Sequence, residues 1–406
     1  MLQKKPIDRI NHLSNVRISI SDIHFLLFII CLFFLSFVNA GSSIENNIQG
    51  IFTLIFSIPI LAIKHEKINS HTEAILSGLF IIFMLSSTWN YFGFSNFNSW
   101  LRVLNLISLM LFARTSYIFF SQNQEKIKYL VYIFPTISLI HVALVIKKWV
   151  VLDHPYSYDW VYQIGFFGNI RHVTSLTSIG LICSLYLMLK ANHLKKLLFL
   201  ILSTLIMSFI FWSGTRSVYI GLTLISLYFI YTSTNKLKNV LFFLLIVSSS
   251  IFLATRFPVD KSSLGLERIG KFSTSGRIEI WIDTIHYIIQ KPFFGYGAES
   301  FGSVHSFYGG SASHLAQAHN MILQVLIEFG ATGLFILSVI LVINFIKIKS
   351  ITQPLTDQTL FIAIVINYLT IGLFDGVAYY SFSLYFLALM FALLRITAKS
   401  TNPFIS

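Results

Sequence analysis

The side chains that could do chemistry gather in and beside one polar stretch of an otherwise apolar chain, residues 255–318. Guanidinium groups bind phosphate through paired N–H donors. A neutral imidazole near pH 7 suits general-base work. The stretch therefore predicts an anion-binding and proton-transfer site, and its histidines lack the spacing of a metal-ligand set. Its arginines and histidines, with the histidine that follows it, are Arg256, Arg268, Arg277, His286, His305, His314 and His319.

Two arginines and one histidine stand out by their position. Arg216 ends a tight Ser-x-Thr-Arg turn between two apolar runs, which holds it near headgroup depth, where it could bind the phosphate of a ligand or reach a lipid phosphate. Arg277 opens an amphipathic helical pattern over 278–290, although the helix dipole disfavours a cation there unless an anion is bound. His319 lies at the mouth of the next apolar run, which makes it the candidate general base.

Polar residues continue past His319 on one helix face. Asn320, Gln324 and Glu328 recur every four residues. Such a stripe in a membrane helix needs partners or a cavity, and for Gln324 and Glu328 we favour an interhelical hydrogen-bond seam. Asp375, near the end of a later apolar run, could contact a sugar or orient an arginine.

The elements that must position these residues are membrane spans. Of the 406 residues, 55% are hydrophobic and 11% charged, against about 25% charged in soluble domains. We predict one all-α polytopic membrane domain over residues 1–406, with the polar stretch as a large loop between spans nine and ten. The predicted spans are 22–40, 48–63, 74–92, 101–120, 128–147, 172–190, 196–213, 217–233, 238–254, 320–346, 358–375 and 379–396.

The basic residues favour one orientation. Placing both termini in the cytoplasm puts the basic short loops there too, including Lys64, Lys128, Lys196 and Lys238, as the positive-inside rule requires. The large loop then lies outside, in the periplasm of a cell with two membranes. This topology accounts for the net charge of +13 without a nucleic-acid partner, and leaves membrane lipids as the expected surroundings.

Four motifs resemble the O-antigen ligase and polymerase family, polytopic glycosyltransferases that use glycans linked to a polyprenyl diphosphate. Their order, the large loop and the twelve predicted spans agree with that family, and the motifs lie between about residues 165 and 335. The motifs are Ser213-Gly214-Thr215-Arg216; Ser275-Gly276-Arg277 with Trp281; Lys291-Pro292-Phe293-Phe294-Gly295-Tyr296-Gly297; and His319-Asn320 with Gln324, Glu328, Gly330 and Gly333.

The resemblance implies a GT-C-like enzyme of the bacterial inner membrane that uses no metal or other cofactor. Arg216 and Arg277 would hold the diphosphate of an undecaprenyl-diphosphate-linked glycan, and His319 would activate the acceptor hydroxyl, with inversion at the anomeric carbon. Further residues are expected to bind the acceptor or to support the site: Arg171, His172, Asn320, Gln324, Glu328, Asp375 and His314.

Members of the family differ in the acceptor to which they transfer the glycan. We favour a ligase, which attaches the finished glycan to lipid A-core, over a polymerase that extends a growing glycan. Gly168-Asn169-Ile170-Arg171-His172 is similar to an acceptor-side motif found in several branches, including transferases that glycosylate protein, so a protein acceptor stays possible. A flippase for the same lipid-linked glycans would need basic residues across several spans, whereas here they gather at one edge.

Overall fold

The computed structural model describes residues 19–38, 42–62, 71–164, 168–259, 264–265, 276–310, 315–346 and 355–398. Within these ranges the secondary structure is helical and no strand occurs. The prediction of an all-α polytopic membrane protein is confirmed. Two of the arginines and histidines of the polar stretch, Arg268 and His314, lie outside the described residues.

Fifteen α-helices occur in the described ranges, and short 3₁₀ turns follow at Gln124–Lys126 and Gly376–Tyr379. The helices are α1 Ile20–Phe37, α2 Ser43–Ile51, α3 Leu54–Ala62, α4 His71–Phe92, α5 Phe97–Gln122, α6 Ile127–Val151, α7 Ile170–Lys190, α8 His193–Ser213, α9 Arg216–Thr232, α10 Lys236–Ala254, α11 Arg277–Gln290, α12 Phe301–Phe307, α13 Met321–Ile346, α14 Asp357–Phe374 and α15 Ser381–Thr397.

Ten helical segments of the described chain are long and apolar enough to cross a membrane, with α2 and α3 counted as one. Helix α15 is a shorter apolar helix of 17 residues, and α9, also of 17 residues, begins with Arg216. The predicted eighth and twelfth spans fall on these two helices.

Successive spans run in opposite directions, so the starts of α2, α5, α7, α9, α13 and α15 meet the end of α14 at one end of the bundle. We call this the site end. Three hydrogen bonds tie it together: Asn320 Nδ2 to the Leu373 carbonyl (3.1 Å), Arg102 Nη1 to the Tyr379 carbonyl (3.0 Å), and Ser381 N to Asn46 Oδ1 (2.7 Å).

Helices α7 and α14 form the centre of the bundle. Inside the protein, 89% of the α7 span and 72% of the α14 span are buried, more than in the other candidate spans of the described chain. Helix α7 packs between α6 and α8, and α14 packs against α7, α9 and α15. The first residues of α7 and the residue after α14 are therefore held in the middle of the site end. These are Ile170 and Arg171 at the start of α7, and Asp375 after α14.

Helix α13 is interrupted, which the predicted span 320–346 did not anticipate. Gly330 has φ 62° and ψ −170°, a backbone conformation outside the helix and open essentially to glycine alone. The groups freed by the break pair with residues 292–297, which we call the backbone latch. Its hydrogen bonds are Tyr296 N to Ile327 O (2.9 Å), Gly297 N to Glu328 O (2.8 Å), Ala331 N to Pro292 O (2.7 Å) and Thr332 N to Phe293 O (3.2 Å).

Candidate functional site

Asp375 is the group around which the predicted site residues meet. It follows the last residue of α14 and is buried. Its Oδ2 lies 3.4 Å from Arg277 Nη2, and its Oδ1 lies 3.6 Å from His319 Nδ1. The backbone N–H of Gly376 donates to Oδ1 (2.8 Å). One carboxylate thus faces both a guanidinium and an imidazole that the sequence placed about forty residues apart.

Arg277 reaches Asp375 because of the glycine before it. Gly276 adopts a left-handed φ of 71° and starts α11, so that Arg277 is the first helical residue. A second contact runs from Arg277 Nη1 to the carbonyl oxygen of Phe374. The side chain is 20% exposed, so the guanidinium is anchored on α14 while part of it stays open to a ligand.

His319 is held by the peptide that precedes it. The Ala318 carbonyl accepts from Trp281 Nε1 (2.9 Å), and the Ala318 N–H donates to Gln324 Oε1 (2.8 Å). His319 itself has a left-handed φ of 51°, a conformation that is uncommon for residues other than glycine. Such strain persists only where the surroundings enforce it, so these contacts define the direction of the imidazole.

Asn320 serves as the cap of α13. Its Oδ1 accepts from the backbone N–H groups of Ile322 (2.9 Å) and Leu323 (3.1 Å), which are among the donors that a helix start leaves unsatisfied. Its Nδ2 also donates to the Leu373 carbonyl. Asn320 therefore connects the start of α13 to the end of α14, next to Asp375. This geometry gives Asn320 a supporting position.

Arg216 comes to the site end through the turn between α8 and α9. Gly214 has a left-handed φ of 66° and ends α8, and the Ser213 and Thr215 hydroxyls lie 3.0 Å apart. Helix α9 then begins at Arg216, and the next residue, Ser217, donates to Asp375 Oδ2 (3.5 Å). The Ser-Gly-Thr-Arg motif is therefore a compact reversal that brings Arg216 next to the Asp375 cluster.

Charge couples the members of this cluster. Burial would raise the pKa of Asp375, but the nearby His319, Arg277 and Arg171 outweigh burial and hold that pKa below its usual value of 3.8. Burial lowers the pKa of Arg277, Asp375 opposes this, and the charges of Arg171 and Arg216 lower it further. Three guanidinium groups thus act on one another around one carboxylate, an excess of two positive charges (three minus one) that suits an anion carrying more than one negative charge.

Comparison with known proteins gives one family match. Residues 197–338 match the model of a protein family described as O-antigen ligase. This match, over 142 of the 406 residues (338 minus 197 plus 1), supports the resemblance to the O-antigen ligase and polymerase family. No curated protein matches the chain. The region that matches the O-antigen ligase family includes Arg216, Arg277 and His319, whereas Arg171 and Asp375 lie before and after it.

The third family-like motif, residues 291–297, acts through its backbone. It supplies the latch partners of the α13 break, and a Cβ added to Gly295 would lie 2.6 Å from the Glu328 carbonyl carbon. Gly297 approaches α4 equally closely, since a Cβ there would lie 2.8 Å from the Cα of Thr88. Both glycines have positive φ. The two glycines therefore permit close backbone packing.

Gln324 and Glu328 form hydrogen bonds within α13 and to loop backbone, whereas we favoured a seam between helices for them. Gln324 Nε2 donates to Glu328 Oε1 (2.7 Å), and the same oxygen accepts from the backbone N–H of Glu299 (3.3 Å). Because Gln324 also accepts from the Ala318 N–H, these bonds connect the buried interior of α13 to the residue before His319. Both side chains are buried and act on the site through that peptide.

A second buried polar layer lies beneath the site, and sequence reasoning missed it. Arg102 lies over the Tyr379 ring, with its Cζ 4.6 Å from the ring centroid, and binds the Tyr379 carbonyl. The Tyr379 hydroxyl donates to Glu299 Oε1. Burial raises the pKa of Glu299, while Arg102 and Tyr379 oppose that rise. Nothing in the sequence pointed to the partners of Arg102.

Other predicted residues take different positions. His172 packs its ring 3.9 Å from the Tyr380 ring centroid, beside Arg171. His305 is fully buried against Phe301 and Tyr287, so it has a packing environment away from Asp375. Within the described ranges, no group of three or more His, Cys, Asp or Glu side chains could hold a metal ion.

Proposed function

We propose that this chain is a glycosyltransferase of the ligase type, which transfers a glycan from undecaprenyl diphosphate to lipid A-core at the periplasmic face of the inner membrane. The observation that carries the proposal is the shared carboxylate. Asp375 faces Arg277 and His319 at 3.4 and 3.6 Å, so an anion-binding group and a proton acceptor belong to one cluster. The match of residues 197–338 to the O-antigen ligase family model supports the same chemistry.

The arginines would bind the donor diphosphate. Arg216 and Arg277 are the primary ligands in this proposal, and Arg171 supplies further positive charge because it acts on both Asp375 and Arg277. When the bond between the anomeric carbon and the diphosphate breaks, negative charge develops on the leaving oxygen. Guanidinium groups already in place stabilise that charge without a reorganisation cost. The products are the transferred glycan and undecaprenyl diphosphate.

His319 would accept the proton of the attacking hydroxyl. Its Nδ1 faces Asp375, so Nε2 is the nitrogen directed to the acceptor in this proposal. The acceptor oxygen forms a bond to the anomeric carbon from the side opposite the diphosphate, which inverts the configuration. Asp375 orients the ring and stabilises the imidazolium that forms, the role a carboxylate plays beside a catalytic histidine. General-base help of this kind contributes about 10²–10⁴-fold to a rate.

The site end is assigned to the periplasm in this proposal because the short loops at the opposite end are basic. Lys126 and Lys190 lie there, at the start of α6 and the end of α7, and positive residues are retained on the cytoplasmic side. A reaction outside the cytoplasm has no nucleotide sugars to draw on. A lipid-linked donor that carries its own leaving group meets that requirement.

Deletion of the protein in its own bacterium, with lipopolysaccharide resolved on a gel, tests the reaction. A ligase predicts that all long chains leave the surface while long lipid-linked glycan accumulates. Core carrying a single repeat unit would instead identify a polymerase, and an unchanged profile would identify another acceptor, such as protein. Either of those results overturns the ligase assignment.

Complementation of that deletion tests the base. His319→Ala should give no transfer while the protein still inserts in the membrane at the wild-type level. His286→Ala is the matched control, because His286 lies exposed on α11, away from Asp375, and should restore full transfer. Transfer by the His319→Ala variant at the level of the His286→Ala variant would remove His319 as the base.

A further inference from the structure

Helix α11 has two different exposed faces beside its buried one. Ile280, Thr284 and Tyr287 are buried against the rest of the protein. On one side of them the exposed residues are polar, namely Glu279, His286 and Gln290. Opposite the buried residues, four isoleucines at i, i+4, i+7 and i+11 are exposed by 47–69%, and we call them the isoleucine ridge. They are Ile278, Ile282, Ile285 and Ile289.

The side chains at both ends of α11 reach the level at which membrane spans end. Arg277, its first residue, contacts Asp375 just past the end of α14. Lys291, immediately after its last residue, places its Nζ 4.6 Å from the ring centroid of Tyr91, one residue from the end of α4. Both contacts place charged side chains of α11 and its end at the site-end limit of a membrane span.

The chain then dips below that level. Phe293 and Phe294 are 65% and 63% exposed, and Phe294 stacks on Phe83 of α4 with centroids 5.9 Å apart. The Ser87 hydroxyl donates to the Phe294 carbonyl (2.9 Å). At a rise of 1.5 Å per residue, Ser87 and Phe83 lie about 8 and 14 Å below Phe92, the end of α4. The two phenylalanines therefore stand at a depth that belongs to lipid acyl chains.

Polar backbone at that depth must be paired within the protein. The backbone latch meets this requirement, because residues 292–297 exchange their hydrogen bonds with the broken part of α13. The Phe293 and Phe294 side chains stay exposed, and Phe294 stacks on Phe83 of the α4 span, in which Leu79 and Ile82 are exposed too. The apolar surface is thus continuous with a lipid-facing span.

We propose that α11 lies flat on the leaflet at the site end, with the isoleucine ridge in the phospholipid acyl chains, the polar face in water, and Phe293 and Phe294 inserted below. An apolar face and a polar face side by side on one helix match an interfacial helix. A contact with a second protein copy would not require an apolar exposed face bordered by a polar exposed face on this helix. This position of α11 goes beyond the proposed function and holds whatever reaction the site performs. It places Arg277 at the level of the lipid headgroups.

Spin labels on the full-length chain in phospholipid nanodiscs test this placement. Single cysteines are introduced at the ridge and the insertion (Ile282→Cys, Ile289→Cys, Phe293→Cys) and, as matched controls on the polar face of α11, at Glu279→Cys and His286→Cys. The native Cys31 and Cys183 are buried and stay unlabelled in the folded protein. Power saturation then measures how often each spin label collides with two reagents. These are oxygen, which dissolves in acyl chains, and a nickel chelate, which stays in water.

The proposal predicts that oxygen access exceeds nickel access at Ile282 and Ile289 and exceeds it most at Phe293, with the reverse at Glu279 and His286. Nickel access at the ridge equal to that at His286 would place the ridge in water. Protection of the ridge from both reagents would mean that protein covers it, as in a contact between two copies. Both results overturn the proposal.

A second measurement uses the unsubstituted chain. A phospholipid with a photoreactive diazirine on its acyl chain is incorporated in the nanodisc, illuminated, and the labelled peptides are mapped by mass spectrometry. The peptide that contains residues 278–294 should be labelled along with the lipid-facing spans. Labelling of the α4 span without this peptide contradicts the insertion, even if every cysteine variant fails to fold.

Discussion

Replacement of Gly330 by alanine should release residues 292–297 from α13. The backbone of Gly330 lies in a region of φ and ψ that alanine adopts only under strain. A Cβ at this position would also lie 2.6 Å from the backbone nitrogen of Phe294. That neighbour is main chain and cannot rotate away. The variant must therefore straighten α13 or push the 292–297 segment off it, and both movements break the backbone latch.

The size of the effect follows from those two contributions. Backbone strain at such a position costs about 1–3 kcal/mol. The latch contains four backbone hydrogen bonds, each with a net contribution of about 0.5–1.5 kcal/mol. The loss should be at the upper part of that range, because no water is available at this depth to replace the partners. We expect Gly330→Ala to lower the free energy of unfolding by roughly 3–9 kcal/mol.

Two glycines provide matched controls. Gly309 also has a positive φ, 71°, but a Cβ there would meet open space, so Gly309→Ala should show the strain alone, about 1–3 kcal/mol. Gly78 is helical and equally open, and alanine at that site should be neutral or stabilising by about 0.5–1 kcal/mol. Heating the purified chain with a thiol-reactive fluorescent dye gives the readout, because Cys31 and Cys183 are buried until the protein unfolds.

The comparison between Gly330→Ala and Gly309→Ala decides whether the α13 break holds residues 292–297 in place. A larger loss of thermal stability in the Gly330 variant, together with loss of glycan transfer, is the expected result. Equal shifts in the two variants would refute the reasoning, since they would mean that residues 292–297 do not depend on the α13 break for their position.

Three further substitutions test the site itself. Arg277→Lys should lower glycan transfer by about 10- to 100-fold at wild-type protein level, because lysine lacks the paired donors and a hydrogen bond to a charged group contributes about 1.5–3 kcal/mol. The control is Arg256→Lys, at an exposed arginine, which should leave glycan transfer unchanged. Asp375→Asn should reduce both transfer and thermal stability. Because the pKa of Asp375 is lowered, its stabilising contribution is present above pH 3.8 and lost only as the pH falls below that value, so acid titration should narrow the stability gap to wild type. Tyr379→Phe should leave Glu299 Oε1 without its donor and lower the free energy of unfolding by about 1–3 kcal/mol, and an unchanged unfolding temperature would argue against that contact.

Much of the fold could be predicted from the sequence because hydropathy alone separates spans from loops. Each predicted span overlaps a helix, the second overlapping both α2 and α3, and the family motifs fall at turns that glycine or an uncommon backbone conformation creates. Gly214, Gly276 and His319 all have positive φ, and each lies beside a residue that the motifs singled out or is one itself. Short-range backbone requirements of this kind leave a mark in the sequence.

Long-range partners leave no such mark. The sequence left Asp375 open between contacting a sugar and orienting an arginine, since 56 residues separate it from His319 (375 minus 319). Arg102 and Tyr379 are farther apart still, and their contact depends on how α5 and α15 pack. The break at Gly330 was hidden for another reason. The residues around it are apolar enough to form one candidate span, Met321–Ile343, and a single glycine does not divide that span.

The helical period of α11 was also correct but incomplete. Apolar residues at 278, 281, 282, 285, 288 and 289 were assigned to one amphipathic face, whereas Trp281 and Ile288 pack against the protein and the isoleucine ridge faces outward. Periodicity measures how apolar residues recur and does not distinguish those that face protein from those that face lipid. In a membrane protein both environments favour the same residue types.

The shared carboxylate links the two halves of the proposed reaction. In the structure Arg277 contacts both Asp375 and the Phe374 carbonyl, so its positive charge is partly satisfied before any donor binds. A diphosphate would compete for the same guanidinium, since phosphate and carboxylate use the same paired donors. Each donor atom that Arg277 turns toward the diphosphate leaves more of the Asp375 charge for His319, 3.6 Å away. Donor binding would in this way strengthen the partner of the base at the moment when the imidazole must accept a proton.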